Sequence, residues 1–342
     1  MPPPYHPQRI LLTGATGAVG RSVLPALAGF GVPMRFLVHQ AGLGSLPELS
    51  AFDVRKGDLA RPESLRGIAQ GCDVVVHAGG RPGFATLGRE RQRRVNVLGT
   101  EVLLREARSA GVRVFVLVGY TGTVQERGDA SQPVHEETPP EGRYESKYVR
   151  MKFEAEAAVL EANQAGGMRT LVVSPGVLVH PGTSTVLGGL IGAFVRRELP
   201  YRVLESVWLA TSDGADVGRC LASAIAVGHG GRRYFATGEC IRLGDLYTLL
   251  AELSGVPAPR RILSDLLVEE LGLLTPVLPP RSFLRSLVLP RDLVLHLRRL
   301  APVANERTRS ELLFAPTPLR VTLARLIGTR EGSTVPGRRA LW

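Results

Sequence analysis

The sequence predicts an α/β fold, a doubly wound parallel sheet followed by a smaller C-terminal α+β lobe. Three observations carry that expectation. Short apolar runs alternate with helix-like segments from Ile10 to Ser174, the pattern of a parallel sheet covered on both faces. The first run, Ile10–Leu12, breaks into three glycines, Gly14, Gly17 and Gly20, and then into a helix over Arg21–Gly31. Beyond Pro175 the alternation loosens, which marks a second structural unit.

The elements follow from local signals. Met34–Val38 and Asp53–Lys56 read as the second and third strands. Pro62–Gln70 reads as a helix, with proline in its first turn and Gly71 past its end. Asp73–His77 is an apolar strand, Gly88–Ala110 a long helix stopped by Gly111, and Val112–Val118 a buried strand. The polar loop Gln125–Arg143 precedes a helix from about Tyr144 to Gln164, and Arg169–Ser174 is the next strand. Further on, Thr185–Arg197, Gly214–Val227 and Leu243–Ser254 are helical and Arg232–Ala236 is a strand, with a Leu-, Arg- and Pro-rich tail from Leu263. This assigns residues 1–175, with 204–230 returning, to a sheet domain, and 176–203 and 231–342 to a second lobe.

Bulk composition narrows the function class. Hydrophobic content of 44% and charged content of 21% are those of an ordinary globular protein. The net charge of +11 points to an anionic partner, but it is spread along the chain with few aromatics between, which favours a phosphate-bearing small molecule over nucleic acid. Cys72, Cys220 and Cys240 lie far apart and outside any metal spacing, as expected in a reducing compartment and with no metal site. MPPPYHPQR lacks a signal-peptide layout, and no apolar run reaches the roughly 18 residues of a membrane span, so a cytoplasmic location is expected.

Two constellations carry chemistry. Glycines between a strand and a helix let backbone approach a ligand closely, and the helix start presents free N–H groups and a positive dipole end, so Gly14, Gly17 and Gly20 read as a pyrophosphate cradle. Tyr148 and Lys152 are four apart on one helix face, so phenol and ammonium enter one site. The ammonium is expected to lower the phenol's pKa toward neutrality, making Tyr148 an acid or base. Tyr144 and Lys147, three apart, are an ordinary pair by comparison. Thr121, after a buried strand, offers a hydroxyl that can orient a carbonyl.

With these pieces in order, the chain resembles the extended short-chain dehydrogenases/reductases, the NAD(P)-dependent epimerase/dehydratase superfamily, from Arg9 to about Leu323. The motifs are TGATGAVG (13–20), GDL (57–59), DVVVHAGG (73–80), VNVLGTEVLL (95–104), FVLVGYTGTV (115–124) and YVRMKFEAE (148–156). The resemblance implies a Rossmann-type sheet in which Gly14, Thr16, Gly17, Ala18, Val19 and Gly20 hold the pyrophosphate. It implies that Asp58 and Leu59 contact adenine, Ala78 and Gly79 line the cofactor groove, and Pro175 and Val177 flank the nicotinamide. Asn96 would support the active-site helix, Thr121 would bind the substrate oxygen, Tyr148 would exchange its proton, and Lys152 would hold the nicotinamide ribose. Two departures stand out: Gly119-Tyr120 replaces the usual serines before the catalytic hydroxyl, and Ser174 stands where many relatives have arginine.

The second strand ends in His39 and Gln40 rather than an acidic residue, which favours NADP over NAD. The expected reaction is hydride transfer between the nicotinamide and a secondary alcohol or ketone of a lipophilic small molecule. The alternatives are a nucleotide-sugar epimerase with the same Tyr/Lys pair, and an inactive NADP-binding regulator. In the tail segment 279–302, Leu293, Val294, Leu297 and Leu300 share a helical face; packing onto the substrate lobe is favoured over a membrane-surface foot. The family likeness also implies a homodimer paired through the helices near 88–110 and 144–164.

Overall fold

The computed structural model describes residues 3–39, 53–84, 88–164, 167–179, 185–274 and 288–331. Gln40 and residues 279–287 of the tail segment lie outside them.

The first half alternates strand and helix. Strand β1 (Ile10–Thr13) runs through the glycine turn into α1 (Ala18–Ala28), followed by β2 (Met34–Val38), β3 (Asp53–Lys56) and β4 (Val74–His77). The helix expected over 62–70 is instead a single 3₁₀ turn, Pro62–Leu65, because Gly67 and Gly71 take left-handed backbone at φ +69° and +72°. The long helix expected over 88–110 starts as α2 (Arg89–Arg93), widens into a π-helical turn at Arg94–Leu98, and resumes as α3 (Gly99–Ser109). After β5 (Val114–Val118) and the short α4 (Gly122–Gln125) comes α5 (Lys147–Glu161), which begins three residues later than expected. Ser146 sets that start, its hydroxyl accepting the Val149 N–H at 3.4 Å.

The second half adds β6 (Arg169–Ser174), β7 (Val177–Val179), α6 (Val186–Val195), β8 (Trp208–Asp213), α7 (Gly214–Val227), β9 (Arg233–Phe235), β10 (Cys240–Arg242) and α8 (Leu243–Ser254). Helices α9 (Asp265–Gly272), α10 (Arg291–Leu297), α11 (Glu306–Leu312) and α12 (Leu319–Glu331) complete the tail.

Seven strands form one parallel sheet in the order β3-β2-β1-β4-β5-β6-β9. Alternate side chains feed its two faces. Ile10, Leu12, Phe36 and Val116 pack with Val23 and Leu27 of α1 and Val217 and Leu221 of α7. Leu11, Leu37, Val75 and Phe115 pack on the other side with Leu103 of α3 and Val159 of α5. This is the doubly wound Rossmann-type sheet that the alternation predicted. β9 extends it beyond β6, although the sequence reading groups residues from 231 with the second lobe.

β7, β8 and β10 make a separate three-stranded sheet that the sequence reading did not foresee. A second core lies beside it, with Leu187, Phe194, Leu246, Leu250, Val294 and Leu323. Most of the apolar stripe of the tail is part of that packing: Leu293 and Val294 are buried in it and Leu297 packs against it, while Leu300 is buried outside it. Among the described residues, no helix is long and apolar enough to cross a membrane.

Candidate active site

The turn between β1 and α1 is built by close approach. Gly14 sits at φ +75°, and a Cβ there would lie 2.5 Å from the Ala78 carbonyl oxygen. A Cβ on Gly20 would lie 2.0 Å from the Gly14 carbonyl oxygen. Gly17 donates its N–H to that same oxygen at 2.9 Å and serves as the N-cap of α1. No side chain caps the helix and no acidic residue occupies its first turn, so its N–H groups and dipole are available to an anion. Thr16, Ala18 and Val19 are partly exposed around this turn, and Arg21 Nε donates to Thr16 O at 3.0 Å. A cradle that any Cβ would fill is what a pyrophosphate requires, so these residues fit a dinucleotide.

At the edge of the cradle, Asp58 is shared. Its Oδ2 lies 3.5 Å from His39 Nε2 and 3.3 Å from an Arg91 guanidinium nitrogen, and its Oδ1 accepts the Ala60 N–H at 2.9 Å. The fold thus brings Arg91, on α2, beside His39. Leu59 packs beneath Gly79 and Gly99.

The loop after β4 is held by a hydrogen-bond chain whose direction can be read. Thr100 spends its one hydroxyl proton on Asn96 O at 2.8 Å, so its oxygen accepts His77 Nε2–H at 3.0 Å. The bare His77 Nδ1 then accepts the Thr13 hydroxyl proton at 2.6 Å, and the Thr13 oxygen accepts the Gly79 N–H at 3.0 Å. Burial, reinforced by the charge of Lys152, pushes the His77 imidazole down to about 3, which keeps it neutral. Asn96, inside the π turn, clamps the main chain of Arg81: its Oδ1 accepts the N–H at 2.7 Å and its Nδ2 donates to the carbonyl at 3.0 Å.

Helix α5 brings Tyr148 and Lys152 to the other side of the site. Lys152 donates to Val118 O, at the end of β5, at 2.9 Å. Burial lowers its pKa to about 8, with Glu156 opposing. Tyr148 departs from expectation. Burial pushes the phenol up to about 12, where the sequence reading had the ammonium drawing it toward neutrality. The physical reason is that desolvation of the phenolate dominates while Lys152 is engaged with a backbone carbonyl. Glu156, one turn beyond, is a structural residue, bonded to Arg233 Nε and to the Thr123 hydroxyl. Tyr144 donates to Thr123 O at 2.7 Å and is structural, as read.

Thr121 is not presented to this opening. It is fully buried, and its hydroxyl donates to Gln125 Oε1 at 2.6 Å. Its N–H donates to Pro175 O at 3.0 Å, which joins the end of β5 to the turn before Val177. The Gly119 and Ser174 departures compensate each other: a Cβ on Gly119 would lie 2.4 Å from Ser174 Oγ.

The remaining wall comes from residues the sequence reading missed or left open. Phe84 meets the Tyr148 ring edge-on at 5.2 Å between centroids and stacks on His296 at 5.4 Å. Tyr120 and His296 bond at 3.0 Å, and His296 bonds Glu126 at 2.5 Å. His296 arrives on α10, and the segment after it is fastened to the end of α4 and the residues just beyond by Arg127 N–H to Arg299 O and Ala301 N–H to Gln125 O. A separation of 170 residues leaves no local signal that could have found this pairing.

Sheet, uncapped glycine turn and Tyr/Lys helix together define an oxidoreductase of the extended short-chain type that binds a nicotinamide dinucleotide. Comparison with known proteins agrees: residues 10–208 match the model of the NAD dependent epimerase/dehydratase family, and the chain belongs to that family. It is 32% identical to a 4-hydroxy-2-methyl-3-oxo-4-farnesyl-3,4-dihydroquinoline-1-oxide ketoreductase of Stigmatella aurantiaca, covering 73% of this chain and 74% of that one. It is 30% identical to the sterol demethylase protein B of Methylococcus capsulatus, over 92% and 95%. Among solved structures, gox2253 superimposes with a TM-score of 0.78 and 26% identity, over 95% of this chain and 98% of that one.

Proposed function

We propose that this protein is a ketoreductase of lipophilic small molecules, interconverting a ketone and a secondary alcohol with Tyr148 exchanging the proton on the substrate oxygen. The observation that carries the reading is the pairing on α5: a partly exposed Tyr148 beneath the Phe84 ring, with Lys152 one turn on. A phenol that keeps its proton up to about pH 12 is in its donor form throughout the working range, which suits ketone reduction. The nicotinamide supplies the hydride when bound. Gly14, Thr16, Gly17, Ala18, Val19 and Gly20 then hold the pyrophosphate; Asp58 and Leu59 take the adenine; Ala78, Gly79, Pro175 and Val177 line the nicotinamide groove; and Lys152 turns from Val118 O to the ribose. Asn96 positions the loop at Arg81 rather than touching substrate.

NADP is the favoured cofactor, because His39 and Arg91 meet at Asp58, two side chains able to pair with a 2′-phosphate, and no acidic residue ends β2. The names of the relatives and the ring wall of Phe84, Tyr120 and His296 support a lipophilic substrate over a nucleotide sugar. The test is Tyr148→Phe, assayed against a panel of cyclic ketones with NADPH and NADH. Turnover should fall by about 10²–10⁴-fold, with NADPH affinity unchanged. Turnover left intact would overturn the assignment.

A further inference from the structure

The wall opposite Tyr148 carries an ionisable chain that the reaction above does not use. Glu126 and His296 are fully buried. Glu126 Oε1 accepts the Glu145 N–H and Oε2 lies 2.5 Å from His296 Nδ1, so an ionised Glu126, which can only accept, takes the Nδ1 proton in a hydrogen bond. His296 Nε2 is then bare in the neutral ring and takes the proton of the Tyr120 hydroxyl. Tyr120 is half-buried and lies close enough to Tyr148 that ionising one phenol opposes ionising the other.

We propose that Tyr120 is a second substrate-binding hydroxyl whose donor or acceptor character is set by the protonation of His296. This rests on the ketoreductase reading. With His296 neutral, the phenol proton is committed to Nε2 and Tyr120 offers the pocket only its lone pairs, which suits an alcohol. With His296 charged, Nε2–H donates to the Tyr120 oxygen and frees the phenol proton for a ketone oxygen. Glu126 balances the imidazolium when it forms. Thr121 does not compete for this role, because its proton is committed to Gln125.

The other charges around His296 are paired elsewhere. On α10, Asp292 pairs with Arg89, and Arg291 is bound to Glu269. Just past its end, Arg298 is also bound to Glu269, and Arg299 to Glu141 and Glu145. From α5 come Tyr148 and Lys152, the latter on Val118 O. Phe84, stacked on the ring, brings no charge. Glu126 and Tyr120 are therefore the partners through which His296 acts.

The experiment uses the enzyme with nitrogen-15-labelled histidine and two matched probes, 5α-androstan-3-one on the NADP⁺ form and 5α-androstan-3β-ol on the NADPH form, so that neither probe is turned over. The ketone should raise the pH at which His296 titrates and the alcohol should lower it, since a ligand that prefers one protonation state stabilises it. Ketone affinity should fall and alcohol affinity rise by about five- to tenfold across that titration, one hydrogen bond's worth in each direction. Tyr120→Phe should abolish the swing and weaken both probes, and His296→Gln, which cannot titrate, should flatten it. NADPH affinity should be unchanged in both variants. Binding of both probes with His296 unmoved, or a full swing in Tyr120→Phe, overturns the proposal and leaves the ketoreductase reading standing. Failure of either probe to bind wild type overturns that reading for alicyclic substrates, and this proposal with it.

Discussion

Replacing Gly20 by alanine sets two effects of opposite sign against each other. In an exposed helix interior, alanine in place of glycine favours folding by about 1 kcal/mol. At Gly20 the added methyl would lie 2.0 Å from the Gly14 carbonyl oxygen and 2.7 Å from the Ala15 Cα. Carbon–oxygen contacts normally close no further than about 3.3 Å, so the overlap exceeds an ångström. Both obstacles are main-chain atoms, and no rotamer change relieves them; α1 must move off the turn. Overpacking of this kind costs about 1–3 kcal/mol, and a displaced main chain puts the cost at the upper end. We expect a net loss of about 2 kcal/mol in unfolding free energy after the propensity gain. NADPH affinity should fall at least about tenfold, because a shift that consumes 1.4 kcal/mol of binding already does so. Gly328 in α12 is the matched control, since a Cβ there meets nothing within 4 Å. Alanine at that position should raise stability by about 1 kcal/mol and leave NADPH binding alone. Urea unfolding and NADPH fluorescence titration of the wild type and both variants decide the matter. A Gly20→Ala protein as stable as Gly328→Ala, with wild-type NADPH affinity, would refute the cradle.

Four further outcomes are expected. Lys152 titrates near 8 when folded against 10.5 when unfolded, so the unfolded chain holds more protons between those values and stability should rise with pH across that window. Lys152→Met should remove the rise and add up to about 3 kcal/mol at pH 7 while weakening NADPH binding, a comparison read by urea unfolding from about pH 7 to about pH 10. His77, near 3 when folded, should cost stability as pH falls from 6.5 toward 3; His77→Gln should flatten that limb in acid titrations followed by circular dichroism. Asn96→Ala breaks both bonds to Arg81 and should lower stability by about 2–3 kcal/mol in urea unfolding. Arg91→Ala with His39→Ala should weaken NADPH about tenfold or more and leave NADH nearly unchanged in fluorescence titration.

What the sequence could reveal was local. Strands β2, β3 and β6 and helices α7 and α8 came out with the observed bounds, because each is a contiguous apolar or amphipathic run with its own stop signal. The cradle was legible for the same reason: three glycines and a helix start lie within a dozen residues. The π turn at Arg94–Leu98 was not, since a widened turn leaves the apolar spacing of the surrounding helix nearly intact. The three-stranded sheet was missed because its strands, 3–6 residues long, lack alternation and find partners across the chain. The expectation for Tyr148 differs from the structure in the direction of the phenol's pKa shift. Spacing placed the ammonium on the right helix face, but the balance between desolvation and attraction depends on where the amine points, and it points to Val118 O.

The site also depends on a property that no motif encodes, the hydrogen-bond chain of the hydroxyls beside the glycine turn. Along Gly79, Thr13, His77, Thr100 and Asn96 each hydroxyl has one proton to give, and each gives it in the same sense, away from Gly79. A π turn loosens the regular ladder of its helix, and the last hydroxyl of the chain, Thr100, supplies a bond to Asn96 O within that loosened stretch. The loop lining the cradle and the bulge that clamps Arg81 are thereby one hydrogen-bonded unit, with His77 as its centre. Charging that imidazole would place a donor against the Thr13 hydroxyl, whose proton would have to swing away from the ring. The Thr13 oxygen would then face two donors, from Gly79 and from His77, with its own proton left unbonded in the core. Burial of His77 is therefore what keeps the glycine turn and the Asn96 bulge in register, and the neutral ring is a structural requirement of the cofactor half of the site.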